Sequence, residues 1–302
     1  MASPSFEGFA QEYLDWASGP NGKSSWRRDK TSLGHLCAFF GSSQLDRITQ
    51  FDVLRYKHAR ENTVSEHTGQ PIKGPTVNRE LACLSRLFRL AAELEKVPLN
   101  FNPVRGVPRA QENKDSWTYL RDDDIRILLE SCGTFFRPVV VAALATGMRA
   151  GELFALEWDD VDLVKGQIHI RTSKSGSPRR VPINGQLMAE LNWLGARAES
   201  PLVFVTSRGA SWKHNYRRTW RSTLEDAGLT TGIRFHDLRH TTGTHLMING
   251  THAFTAQEIL GHKSLEMTRR YSHVDEEAKH AAVESLRWDS PDRTKNRITV
   301  AK

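Results

Sequence analysis

Cysteine is scarce in this chain of 302 residues, which has only Cys37, Cys83 and Cys132. They are far apart, odd in number and form no CxxC pair, which argues against a disulfide framework or a zinc knuckle. Buried free thiols in a reducing cytoplasm are the reading that remains. Long apolar runs are also missing. No stretch approaches the ~18 residues needed to cross a bilayer, so no membrane partner is expected. The N-terminal MASPSFEGFAQEY has neither a basic n-region nor an apolar h-region, so no secretory signal is expected. No internal repeat or low-complexity tract is apparent.

The composition is that of an ordinary folded protein, 38% hydrophobic and 25% charged. The length fits one large or two ordinary domains. Lys+Arg outnumber Asp+Glu by 42 to 35, giving +7 and a pI near 9.4. Such an excess suits a polyanionic partner. It is shared along the chain: 15 basic against 12 acidic residues over 1–112, and 27 against 23 over the remainder. Either part could therefore face a phosphate backbone.

Apolar residues at helical spacing predict four helices in the first hundred residues. The first carries Phe6, Phe9, Tyr13, Leu14 and Trp16. The second runs from Trp26 to Phe40 behind a Ser25 cap, and Gly41 stops it. The third, Phe51 to Arg60 behind Thr49, carries Phe51, Val53, Leu54 and Tyr56; the long fourth starts at Thr76. Basic residues on their polar faces are the candidate phosphate contacts: Arg27, Arg28, Lys30, Lys73, Arg79, Arg86 and Arg89. Three prolines and few periodic apolar positions mark 98–118 as a connector. The expected division is a helical domain over 1–103, a linker over 104–118, a second domain over 119–287 and a polar tail over 288–302.

In the second domain, Leu120-Arg-Asp-Asp-Asp124 opens a helix with acids in its first turn. Phe135 to Ala145 is apolar almost all round and predicts a buried central helix. Gly147 breaks it, and RAGELFALEW begins another helix at Arg149. Gln167–Arg171 and Arg179–Ile183 alternate like strands of a hairpin with Lys174 at its turn. A helix over Gln186–Arg197, a short strand over Leu202–Val205 and a basic helix over Trp212–Ala227 follow. The basic helix carries Lys213, Arg217, Arg218 and Arg221 and is a candidate DNA-facing element. The fold class is thus mainly α in two domains: a four-helix N-terminal unit, then a larger α+β unit, mostly helical, with a small antiparallel sheet.

One stretch organises the rest: HDLRHTTGTHLMINGTHAFTAQEILGHKSLEMTRRYSH, from His236 to His273. His236 and Arg239 are three apart and share a helix face. Gly250 ends that helix, and a short amphipathic helix runs from Phe254 to a stop at Gly261. His262 follows the stop, where a turn can point its ring back, and Thr268 to Tyr271 reads as a last helical turn. Two tight turns thus bring cationic or polarisable groups and a phenol to one place. One more helix, Asp275 to Leu286, is expected after Tyr271.

HDLRH, LGH and the Thr268-x-x-Tyr271-x-His273 ending, with ATGMRAGEL at 145–153 upstream, resemble the tyrosine recombinase (phage integrase) family. The resemblance covers most of the chain. It implies an N-terminal SAM-like core-binding domain that clamps double-stranded DNA, and a catalytic domain that cleaves and rejoins it through a 3′-phosphotyrosyl bond. It implies a homotetramer on two DNA sites, with accessory DNA-bending proteins as possible partners, and no cofactor. In such chemistry a tyrosine phenolate attacks phosphorus and a sugar 5′ oxygen leaves. Arg149 and Arg239 would hold the equatorial oxygens with planar forks of donors, and Glu152 could hold Arg149. His236 is the candidate base, His262 a donor to a non-bridging oxygen, Tyr271 the nucleophile. Lys174 is the candidate general acid, although Lys165 and Arg179 lie nearby. No metal is implied: His236 and His240 are four apart as in HExxH, but Asp237 replaces the glutamate and Arg239 would repel Zn²⁺. Two rivals stand beside this reading: a type IB topoisomerase-like enzyme, and a DNA-binding or architectural protein with a dead site. Phage integrases that bind arm sites carry a further N-terminal domain; with a first helix near residue 6, none is expected here.

Overall fold

A computed structural model describes residues 3–20, 22–66, 68–112, 118–171, 178–229, 232–269, 271 and 283–284. The chain divides into two compact units, Met1–Ser116 and Trp117–Lys302.

Four helices build the first unit: α1 (Phe6–Ser18), α2 (Trp26–Phe40), α3 (Gln50–Glu61) and α4 (Gly74–Glu93). Ser5 caps α1 by accepting from the Gly8 amide, and Thr49 and Asp52 form a reciprocal capping box on α3. Pro75 sits in the first turn of α4, where its missing N–H costs nothing. The core gathers Phe6, Phe9 and Tyr13 of α1, Leu33, Leu36 and Phe40 of α2, Val53 and Tyr56 of α3, and Leu84, Leu87 and Phe88 of α4. At 100° per residue, the face that buries Val53 and Tyr56 turns Phe51 to the opposite side. Phe51 is accordingly 68% exposed and Leu54 is exposed too, so neither joins the expected apolar stripe.

Two buried carboxylates tie these helices together. Asp29 accepts from Tyr13 and Lys23, each at 2.7 Å. Glu80 accepts from Tyr56 at 2.8 Å and from the Arg60 fork at 2.9 and 2.7 Å. Both phenols are pushed well above the ordinary tyrosine range, by burial first and then by the carboxylates they meet. The first part of the expected connector belongs to this unit. Val104 and Val107 pack on the core, Ala110 is buried in it, and Asn78 bonds both the carbonyl and the amide of Ala110.

The second unit is built round α6 (Arg137–Thr146), buried along Pro138 to Ala143. Packed against it are α8 (Gly185–Gly195) and α10 (Asp237–Ile248), with α5 (Asp122–Glu130) before it. Gly147 ends α6 in the left-handed conformation. A three-stranded antiparallel sheet runs in the order β1 (Val161–Asp162), β2 (Gln167–Ile170), β3 (Arg179–Pro182), with Ile168 opposite Val181. β2 and β3 are the expected hairpin; β1 is an addition to it.

Two expectations fail locally. The helix after Arg149 is only α7 (Ala150–Leu153). The chain then turns to bond 201–203: Trp158 N donates to Pro201 O and Val203 N to Leu156 O. That pairing overrides a helical pattern. The segment 202–205 forms no strand, only isolated bridges of Leu202 to Glu157 and of Val205 to Ser211. The basic helix α9 (Tyr216–Asp226) begins after Trp212 and Lys213. It is followed after α10 by α11 (Ala253–Leu260) and α12 (Leu265–Arg269). The expected helix at 275–286, apart from 283–284, and the tail at 288–302 lie outside the described residues.

Candidate active site

Glu152 is the hub that joins two arginines. Placed in the first turn of α7, its Oε2 accepts from the Arg149 amide at 3.0 Å and its Oε1 from Arg149 Nη1 at 3.0 Å. Arg179, from β3, reaches the same carboxylate at 3.3 and 2.8 Å and also donates from Nε to the Ile259 carbonyl at 3.0 Å. Arg149 Nη2 approaches the Gly261 carbonyl at 3.4 Å. The carboxylate therefore fixes both guanidinium groups against the turn that ends α11. Burial alone would raise the Glu152 pKa, but the hydrogen bonds and charge of Arg179 and Arg149 prevail and hold it at about 2.

Arg239 stands on α10, 4% exposed. Its Nη1 donates to the Gly147 carbonyl at 2.6 Å, so the end of α6 orients it. Its Nη2 is buried and has no hydrogen-bond partner among the described residues. A buried donor left unpaired carries a desolvation cost until an acceptor arrives. Burial, then the nearby charges of Arg149 and Arg179, lower the Arg239 pKa to about 10, still fully charged at neutral pH. α10 is held on α6 by Thr242, whose hydroxyl reaches the carbonyls of Ala143 and Leu144.

Tyr271 is also 4% exposed. Its phenol oxygen lies 2.8 Å from His240 Nδ1. The ring of His262 stacks on it at 6.0 Å between centroids, 21° from parallel. His262 Nδ1 in turn lies 2.9 Å from the Thr268 hydroxyl, and Thr268 O accepts from the Tyr271 amide at 3.0 Å. The phenol ring lies flat against the α10 backbone at Gly243, where an added Cβ would come within 2.6 Å of Cε2. Gly261 (φ +65°) lets the chain reverse after α11 and leaves room for Arg179, which would lie 2.9 Å from an added Cβ.

His236 stands just before α10 and is exposed. Partial desolvation of its ring, followed by the charge of Arg239, lowers its pKa. Its ring meets that of His240 edge-on at 5.2 Å. The structure places Arg149, Arg239, His262 and Tyr271 near one another, and the histidine on the phenol is His240. Lys174 lies outside the described residues. Among the described residues no group of three or more His, Cys, Asp or Glu is arranged to hold a metal ion.

The expected DNA contacts separate into two sets. Arg28, Arg79, Arg86 and Arg89 line one groove of about 620 Å³ in the first unit, joined by Lys23 and Arg109. Arg27 lies instead over the Trp26 ring, and Lys30 and Lys73 are not among the groove's lining residues. In the second unit Arg217 lines a cavity of about 610 Å³ with Trp220, Arg221, Arg234, Phe235 and His236; Arg218 is exposed on the same helix but does not line it.

A family model described as "Phage integrase family" matches residues 118–278, which include every one of these catalytic candidates. The chain belongs to the phage integrase family. Among curated integrase-family relatives, the shufflon-specific DNA recombinase of Escherichia coli is 31% identical over 76% of this chain, and the integrase of Haemophilus phage HP1 is 30% identical over 89%. The match spans 77% of the HP1 protein, but only 59% of the shufflon recombinase and 60% of the integrase of Escherichia phage P2. The fold is that of solved integrases. The Tn1549 transposon integrase in complex with a circular intermediate DNA superposes with a TM-score of 0.75 at 17% identity, over 92% of this chain and 99% of that one. A lambda integrase dimer bound to a core site gives 0.73 at 17% identity, over 97% and 81%.

Two residues of this integrase-family site escape a reading of the sequence. Gly243 carries no motif of its own. His240, although part of HDLRH, is weighed there only as a metal ligand, by its distance from His236. That spacing does hold a signal, since i and i+4 lie one turn apart on the same side of a helix, so a site near His236 has His240 close by.

Proposed function

We propose that this chain is a site-specific DNA recombinase that cleaves and rejoins duplex DNA through a 3′-phosphotyrosyl intermediate. The observation that carries the reading is a single helix, α10. It holds a buried, charged Arg239 whose Nη2 has no hydrogen-bond partner among the described residues, and on the next turn it seats the buried phenol of Tyr271. Such a donor suits a phosphate oxygen, and a guanidinium fixed in place before the reaction stabilises the charge that develops on it. Arg149, clamped by Glu152, would take a second equatorial oxygen, and His262 would donate to a non-bridging oxygen. Tyr271 would attack phosphorus. The 5′ oxygen would leave with a proton from Lys174. The phosphotyrosyl ester retains the phosphoester energy, so rejoining needs no external source.

The groove lined by Arg28, Arg79, Arg86, Arg89 and Arg109 supports a phosphate-tracking role for the first unit, and Arg217 and Arg218 offer contacts from the second. Contacts of that kind position a duplex without reading its sequence. The names of the relatives favour a mobile element, with integration or excision as the outcome. A homotetramer on two sites, assisted by DNA-bending proteins in the cytoplasm, completes the proposal. The lambda integrase tetramer bound to a Holliday junction, similar in fold, supports that assembly.

A trapping assay tests the reading. Nicked duplexes covering DNA that flanks the gene are incubated with protein, denatured and examined for bound protein. A phosphotyrosyl peptide containing Tyr271 is the expected product. Tyr271→Phe should abolish the adduct and leave DNA binding intact; an adduct surviving in that variant would remove Tyr271 from the mechanism.

A further inference from the structure

Two histidines one turn apart on α10 could each serve the phenol, and the geometry separates them. His240 Nδ1 lies 2.8 Å from Tyr271 Oη, inside the 2.6–3.2 Å reach that a proton acceptor needs. His236 meets the His240 ring edge-on at 5.2 Å and sits at the exposed start of the helix. The titratable groups facing His240 include His236 on its own helix, Tyr271, and, through the stacked phenol, His262 at the end of α11. Arg239 precedes it, aimed the other way at Gly147 O. We propose that His240 is the general base of this site, taking the proton of Tyr271 at Nδ1.

The step balances. The Tyr271 O–H bond breaks and its proton passes to Nδ1, so the ring carries its other proton on Nε2 beforehand. The phenolate oxygen forms a bond to phosphorus as the bond from phosphorus to the 5′ oxygen breaks. That oxygen takes a proton from the general acid, Lys174 in the scheme above. In rejoining, His240 returns its proton to the departing phenol oxygen. His236, at the helix start one turn away, is left to face the phosphate rather than the nucleophile.

This inference rests on Tyr271 as nucleophile, and the test keeps the two apart. The full chain is given a duplex enriched by binding selection and nicked near its centre. Adduct formation is then timed against pH for the wild type, His240→Ala, His240→Asn, His236→Ala and Tyr271→Phe. General-base assistance contributes on the order of 10²–10⁴-fold. His240→Ala should therefore slow adduct formation at least about 10²-fold at neutral pH, lose the rise in rate over the imidazole range, and recover in part with added imidazole. His240→Asn keeps a hydrogen-bonding group and should stay slow without recovery. If His240→Ala does not fold, the pH profile of His240→Asn makes the same measurement. A wild-type rate in the His240 variants overturns the proposal, as does an unchanged pH profile without imidazole recovery or a pH-dependent limb lost in His236→Ala alone. An adduct in Tyr271→Phe would instead overturn the choice of nucleophile.

Discussion

Glu152 shows how much one buried carboxylate can organise. It locks Arg149 and Arg179 in place, and its pKa falls to about 2 from an ordinary 4.5. A depressed folded-state pKa makes a contribution that is complete above the unfolded value and lost as pH falls toward the folded one. The stabilisation from Glu152 is therefore full above about pH 4.5 and fades between there and about pH 2, with an upper bound of about 3 kcal/mol. Glu152→Gln should melt below the wild type at neutral pH, and the gap should close as pH falls through that window. Parallel melting curves from neutral pH to pH 2.5 would contradict this account. Glu152 was legible from its position three residues after Arg149. Arg179 was legible in principle, because it shares with Val181 the inward face of a strand whose side chains alternate. Two adjacent arginines hid which of them turned inward. His240 was harder to read, because choosing it over His236 depends on where α12 returns the phenol, and no local pattern sets that.

At the scale of elements, the site is a matter of what α10 leaves out. Gly243 gives the Tyr271 ring a flat seat, and an added methyl would lie 2.6 to 2.9 Å from three of its ring atoms. A helix backbone packed on α6 cannot retreat, so the ring must leave. Gly243→Ala should expose Tyr271 to nitration by tetranitromethane, read by mass on the peptide that contains it. Nitration equal to the wild type would mean that the ring is held elsewhere. Long periodic segments such as α4 and α6 were plain in the sequence because their apolar faces persist over several turns. The short helix α7 was not, because Leu153, Phe154 and Leu156 fit a longer helix until the backbone at 156–158 finds 201–203. β1 escaped notice because two residues are too few for alternation to register.

At the scale of the molecule, the sequence suggests a connector over 104–118, and the chain divides within it, at Ser116 and Trp117. Prolines and sparse apolar positions suggested a connector from 104, whereas Ala110 alone, tied twice to Asn78, carries the first unit further. That shift of the border brings Arg109 onto the basic groove. Removing one basic partner of a DNA phosphate should reduce the salt dependence of binding by about 0.9 on a log–log plot. Replacing Arg79 and Arg86 together with alanine should weaken binding about equally for all sequences and flatten that slope by about 2, measured by fluorescence anisotropy across a salt series. Lys30→Ala, outside the groove, should leave the slope unchanged. Equal slopes for the double variant and the wild type would place the duplex on another face.

A chromosome offers on the order of a million or more sites that are not the target, and a basic protein touches them constantly. The phenol that would cut them is folded away beneath a histidine ring and against a helix with 4% of its surface showing. Under the proposed function, cutting needs a phosphate brought to the phenol where it sits beside His240, so a passing collision that never reaches the seat would leave the backbone unbroken and the search harmless.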